Sequence, residues 1–283
     1  MRALSFRVDN RASYGIELAD GVHEASVGFR ERYKDLRAVL DGGALGDLAG
    51  EVEAAGIDPS RIEYLPTIPN PDKVICVGVN YRPHIEEMGR EVPEYPVLFV
   101  RFSGSLVGHG QPLVHPGVSG QYDFEGEIAV VIGQRARRVS REQALGVVAG
   151  YVPFMDGSVR DWQRHTIQFT AGKNFARSGA VGPCLVTPDE LGDLAELGVE
   201  TRLNGETMQS GRLDELVFDL PYLIEYITTF TELLPGDIVA TGTPGGVGAA
   251  RNPPVWLCSG DRLEVDLGEA GCLVNTVQSN APA

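Results

Sequence analysis

The chain has 283 residues, 43% of them hydrophobic, which is enough to fill a core in one large domain or in a large one with a small companion. Its formal net charge of −15 and pI near 4.7 argue against sequence-independent nucleic-acid binding, which needs an excess of Lys and Arg to replace counterions. Cys76, Cys184, Cys258 and Cys272 form no C-x-x-C pair, and no apolar run reaches the ~20 residues that span a bilayer, so neither a disulfide framework, a zinc knuckle nor a membrane span is expected. The N-terminus lacks the apolar run of a signal peptide, and the cytoplasm is the simplest location.

In chain order, "LSFRV" and "SYGIEL" read as strands and "RYKDLRAVL" as a helix, so residues 1–68 are expected to form a small N-terminal α/β domain. Pro66, Pro69 and Pro71 in "LPTIPNPDKV" favour an extended connector. Beyond it, "KVICVGVNY", "YPVLFVRF", "FEGEIAVVIG", "CLVT", "VETRLNG", "DIVATGT" and "DRLEVDL" are runs suited to strands. Two further helices are predicted in this region. "SREQALGVV" carries a capping-box pattern, Ser140 with Gln143, and "PYLIEYITTFTELL" opens on a proline suited to a first turn. Strands and helices do not alternate regularly, so residues 69–283 should be a β-rich α+β domain. "GGVG" at 245–248 lacks the spacing of a phosphate loop.

The stretch "DFEGEIAVVIG" raises a question of charge. On a strand Glu125 and Glu127 share a face with Ala129 and Val131, while Phe124, Gly126, Ile128 and Val130 line the other. Two buried carboxylates about 7 Å apart would repel and lose hydration, at a cost of several kcal/mol. A divalent cation resolves the conflict. A strand end where the glutamates pair with arginines is the plainer alternative. Asp156, at the end of the apolar run "GYVPFMDG", supplies a third acid, although such a residue also serves as a turn or cap. Oxygen ligands without neighbouring His or Cys suit Mg²⁺ or Mn²⁺, with Ca²⁺ possible.

Taken together, "CVGVNYRPHIEEMG", "PVLFVRFSGSLVG", "DFEGEIAVVIG", "GYVPFMDGSVRDWQ", "GKNFARSGAVGPCLVT", "TRLNGETMQ", "LLPGDIVATGTPGGVG" and "GDRLEVDL" resemble the fumarylacetoacetate hydrolase family in content and order. The resemblance covers residues 70–283. It implies a mixed β-sandwich roll, a homodimer, and Mg²⁺ or Mn²⁺ held by Glu125, Glu127 and Asp156. It also assigns roles around the metal. His84, oriented by Glu87 three residues on, would activate water; Lys173, one of only three lysines in the chain, would stabilise an oxyanion with Gln163. Arg160 would contact substrate, and Thr241, Gly242 and Thr243 would grip its carboxylate. Arg101 stands where many relatives have lysine and would favour bidentate contact with a carboxylate. Ala176 stands where many hydrolases have aspartate.

The activity these roles imply is hydrolysis of a C–C bond in acylpyruvate-type 2,4-dioxo acids, releasing pyruvate. Decarboxylation or isomerisation of oxaloacetate-like or 2-hydroxymuconate-like acids is the alternative on the same constellation. A non-enzymatic cation-binding protein is the alternative of another class.

Overall fold

The strand Gly126–Ile132 is buried along its whole length, and the rest of the molecule is arranged around it. In the computed structural model, which describes residues 1–89 and 91–279, it lies within a large mixed sheet. The path across that sheet runs Gly21–Glu24, Arg11–Leu18, Arg2–Val8, Leu185–Val186, Val148–Met155, Gly126–Ile132, Ile238–Ala240, Val74–Gly78 and Val97–Arg101. Ile238–Ala240 and Val74–Gly78 pair in parallel, and Gly126–Ile132 is antiparallel to both of its neighbours.

The alternation expected of "FEGEIAVVIG" is present. Phe124, Ile128 and Val130 enter one core, and Ala129 and Val131 enter another on the opposite face. A second sheet, ordered Glu206–Arg212, Gly198–Leu203, Arg262–Asp266, Cys272–Ser279 and Leu113–His115, adds Val199, Leu203, Val265 and Leu273 to the first core. The result is the strand-rich α+β sandwich that the sequence predicts.

Gly126 marks how closely the sheets approach. A Cβ there would stand 2.0 Å from Thr201 Oγ1, a fully buried atom on the second sheet. Gly126→Ala is therefore expected to destabilise the fold by about 1–3 kcal/mol through overpacking. Adding Thr201→Ala should restore most of the loss, and urea unfolding midpoints of the single and double variants measure it.

Helix Leu220–Phe230 buries Leu220, Leu223, Ile224 and Ile227 on one stripe. Asp219 caps it by accepting the Tyr222 N–H at 2.9 Å. It stops four residues short of the predicted Leu234, because Thr231 is extended and Leu233 instead bridges to Ala136. The capping box expected at Ser140 does not form. Arg141–Val147 is a 3₁₀ turn with no side-chain cap, and the chain enters the next strand at Val148.

The first 68 residues extend the large sheet rather than make one of their own. Arg2–Val8 pairs with Arg11–Leu18 on one side and with Leu185–Val186 on the other. The predicted helix is the shorter Leu36–Asp41, capped by Asp35, and its Leu36, Val39 and Leu40 share a core with Ala129 and Val131.

Candidate active site

Antiparallel register brings the three acids together. Gly126 pairs with Met155 and Glu127 with Phe154, and one further ladder bond, from the Asp156 N–H to the Glu125 carbonyl at 2.8 Å, sets Asp156 opposite Glu125. One carboxylate oxygen from each of Glu125, Glu127 and Asp156 lies within 4.8 Å of the others. Exposures are 6%, 1% and 0%, so water does little to screen their repulsion.

Three cations from three other elements oppose it. Lys173 Nζ lies 2.6 Å from Glu125 Oε2 and 2.5 Å from Asp156 Oδ2. Arg160 Nη1 lies 2.6 Å from Glu125 Oε1, with its Nε 2.7 Å from Asp123. Arg101 Nη1 lies 2.6 Å from Asp156 Oδ1. Every oxygen of Glu125 and Asp156 thus faces a cationic donor. Glu127 accepts the Gly242 N–H at 3.0 Å, and among the described residues it has no ion pair.

The protonation behaviour follows this asymmetry. Burial disfavours charge on Glu125, but Lys173 and Arg160 outweigh it and hold the carboxyl far below the usual range. Burial, Asp156 and Glu125 push Glu127 well above that range. Burial also works against the Lys173 ammonium, yet Asp156 and Glu125 raise its pKa. Glu127 is therefore the acid that the chain's own cations leave uncompensated. An all-oxygen donor set with this deficit fits a hard divalent cation such as Mg²⁺ or Mn²⁺. The plainer alternative, glutamates paired with arginine, describes Glu125 but not Glu127.

Glu125 and Glu127 line a small cleft, with Asp156 buried beside them. Lys173, Gln163, Arg160 and His84 line it on the polar side, and Phe99 and Phe169, edge to face at 5.7 Å, on the apolar side. Gln163 Oε1 accepts from Arg160 Nη1 at 3.1 Å.

His84 reaches the cleft on helix Arg82–Glu87, just after strand Val74–Gly78. Between them Val79 adopts φ 59°, a left-handed conformation costing a β-branched residue about 1–3 kcal/mol. Asn80 holds the turn by donating to the Phe218 and Thr241 carbonyls and accepting the Phe218 N–H. Glu87 also ties this helix to the rest of the site. Its Oε2 accepts the Gly246 N–H at 2.5 Å, fastening the His84 helix to the glycine loop.

Four residues expected to bind substrate make structural contacts of their own. Arg101 is not available to a substrate, because its buried guanidinium is spent on Asp156, the Gly157 carbonyl, Ser105 and Ser178; it braces Asp156 from behind. The Thr241 hydroxyl donates to the Ile128 carbonyl, the Gly242 N–H goes to Glu127, and the Thr243 hydroxyl donates to the Gly126 carbonyl. The segment "TGT" thus brackets the glutamate strand, and Thr243 also lines the cleft. Arg160 does line the cleft, and its Nη2 has no hydrogen-bond partner among the described residues.

Two supporting residues escaped the sequence reading. Asp123 receives Arg160 Nε and the Gly248 and Ala249 N–H groups, and its only local signal, an acid at a strand start, reads equally as a turn. Gln209 accepts the Gly126 N–H and donates to Thr243 Oγ1 and the Pro244 carbonyl. It comes from the second sheet, and nothing in "ETMQSG" marks it.

A strand-rich sandwich with a buried triad of acids beside a cleft has the donor set to hold a divalent cation. The chain belongs to the fumarylacetoacetate hydrolase family: residues 73–278 match the model described as Fumarylacetoacetate (FAA) hydrolase C-terminal. It is 40% identical over 222 residues to the mitochondrial oxaloacetate tautomerase Fahd2a of Rattus norvegicus, covering 78% of this chain and 71% of that protein. It is 41% identical over 222 residues to the oxaloacetate tautomerase YisK of Bacillus subtilis, covering 77% and 74%. Among solved structures, the fumarylacetoacetate hydrolase of Exiguobacterium antarcticum superposes with a TM-score of 0.87 at 35% identity, covering 99% of this chain and 100% of that one. Among the described residues no helix is long and apolar enough to cross a membrane.

Proposed function

We propose that this chain is a divalent-cation-dependent keto–enol tautomerase of oxaloacetate-like 2-oxo dicarboxylic acids. The observation that carries the reading is the uncompensated Glu127, which with Glu125 and His84 lines a cleft and has Asp156 buried beside it. Similarity to two proteins named oxaloacetate tautomerase supports this substrate class over the acylpyruvate hydrolysis expected from sequence.

Glu125, Glu127 and Asp156 would hold the cation, which when bound polarises the 2-oxo carbonyl as a Lewis acid. His84 would exchange a proton with carbon 3, as an imidazole does near neutral pH. One proton leaves carbon 3 and one reaches the 2-oxo oxygen, so composition is unchanged and no water is consumed. Lys173, kept charged by Asp156 and Glu125, serves as a fixed positive group beside the developing enolate. The apolar wall of Phe99 and Phe169 limits water at the reacting carbon.

The test follows conversion of enol-oxaloacetate by ultraviolet absorbance with Mg²⁺ or Mn²⁺, alongside CO₂ and pyruvate release, and acetate release from acetylpyruvate. Metal-dependent conversion without CO₂ or acetate supports the proposal. Equal pyruvate and acetate from acetylpyruvate, with no faster enol conversion, would return the assignment to the hydrolase. Glu127→Gln, which keeps an acceptor for the Gly242 N–H, is expected to lose the metal-dependent rate while folding normally.

A further inference from the structure

We infer that the divalent cation and the dianionic oxo acid bind as mutually dependent ligands, each weakly without the other, because the chain's own cations already balance most of the carboxylate charge. The inference rests on the reading of Glu125, Glu127 and Asp156 as cation ligands. Four buried acids, Asp123, Glu125, Glu127 and Asp156, are in contact with or beside three buried cations, Arg101, Arg160 and Lys173. At full charge the group carries one net negative charge. A divalent cation alone leaves it one positive, in a site too buried for water to screen the excess, whereas a dianionic acid arriving with the cation returns it to one negative.

The contacts point the same way as the count. A cation entering alone must compete with Lys173 for Glu125 Oε2 and Asp156 Oδ2, at 2.6 and 2.5 Å, while Arg160 and Arg101 hold the remaining oxygens of the same two acids. An acid entering alone meets Glu127, which has no cationic partner among the described residues. A dedicated calcium or magnesium cage leaves its carboxylates free for the ion; this site does not. Binding linkage is reciprocal, so the factor by which the acid tightens the cation equals the factor by which the cation tightens the acid.

The test uses the full chain stripped of metal, with Mn²⁺ and oxalate as probes, since oxalate is a dianion with adjacent oxygen donors and cannot turn over. Calorimetry of Mn²⁺ binding with and without saturating oxalate, corrected for their complex in free solution, should show at least ten-fold tighter binding with oxalate. The converse titration should give the same factor. Lys173→Met, which removes one positive charge, should tighten Mn²⁺ binding without oxalate at least five-fold and shrink the oxalate effect. Equal Mn²⁺ affinity with and without oxalate, or no tightening in a folded Lys173→Met, overturns the inference; if that variant does not fold, the wild-type titrations decide alone. Enol conversion without linkage refutes this inference and leaves the tautomerase standing, and linkage without enol conversion does the reverse.

Discussion

His84→Ala is expected to slow metal-dependent enol conversion about 10²- to 10⁴-fold, the range that a positioned general base or acid contributes. The imidazole lines the cleft, while the proposed metal ligands come from other elements, so Mn²⁺ binding in the presence of oxalate should be unchanged. That pairing of results separates loss of a proton carrier from loss of the site. A rate within a few-fold of wild type would remove His84 from the mechanism, and loss of Mn²⁺ binding along with the rate would make its role structural.

Arg101→Met should damage the fold more than Gly126→Ala does. It deletes the brace behind Asp156 and leaves a fully buried carboxylate with one cation instead of two, and breaking a buried pair in this way costs about 3–5 kcal/mol. Three acceptors besides Asp156 also lose their donor: the Gly157 carbonyl, Ser105 and Ser178. Arg101→Lys keeps a charge near Asp156 but cannot reach that set at once, so it should recover only part of the loss. Urea unfolding of wild type and the two Arg101 variants at neutral pH measures the order. An Arg101→Met chain as stable as wild type would mean that Lys173 alone suffices for Asp156.

The strand of the glutamates was legible because two independent signals coincide there: alternation with period two, and apolar residues on both faces. The triad was legible for the same reason, since two acids sharing a face of such a strand demand compensation. The nature of that compensation was less so. Arg101, Arg160 and Lys173 lie 24 residues before and 35 and 48 residues after Glu125 in the chain, and only the folded register decides which acid each one meets. The sequence "TGTPGG" was ambiguous because glycines that allow close backbone approach look alike whether the visitor is a ligand or a neighbouring strand. At Ser140 and Gln143 a local capping pattern was overridden by the strand that begins at Val148.

The hydrogen bonds between Arg2–Val8 and Leu185–Val186 bear on what can be cut away. They close the flank of a strand that borders Val148–Met155, whose end carries Asp156. A polypeptide starting where the family match starts, at residue 73, would present that flank as a raw edge, with unpaired backbone groups ready to recruit a strand from another molecule. The opening segment, which bears none of the proposed chemistry, is in this sense the selvage of the sheet: it keeps the weave that aligns the acids from unravelling into its neighbours.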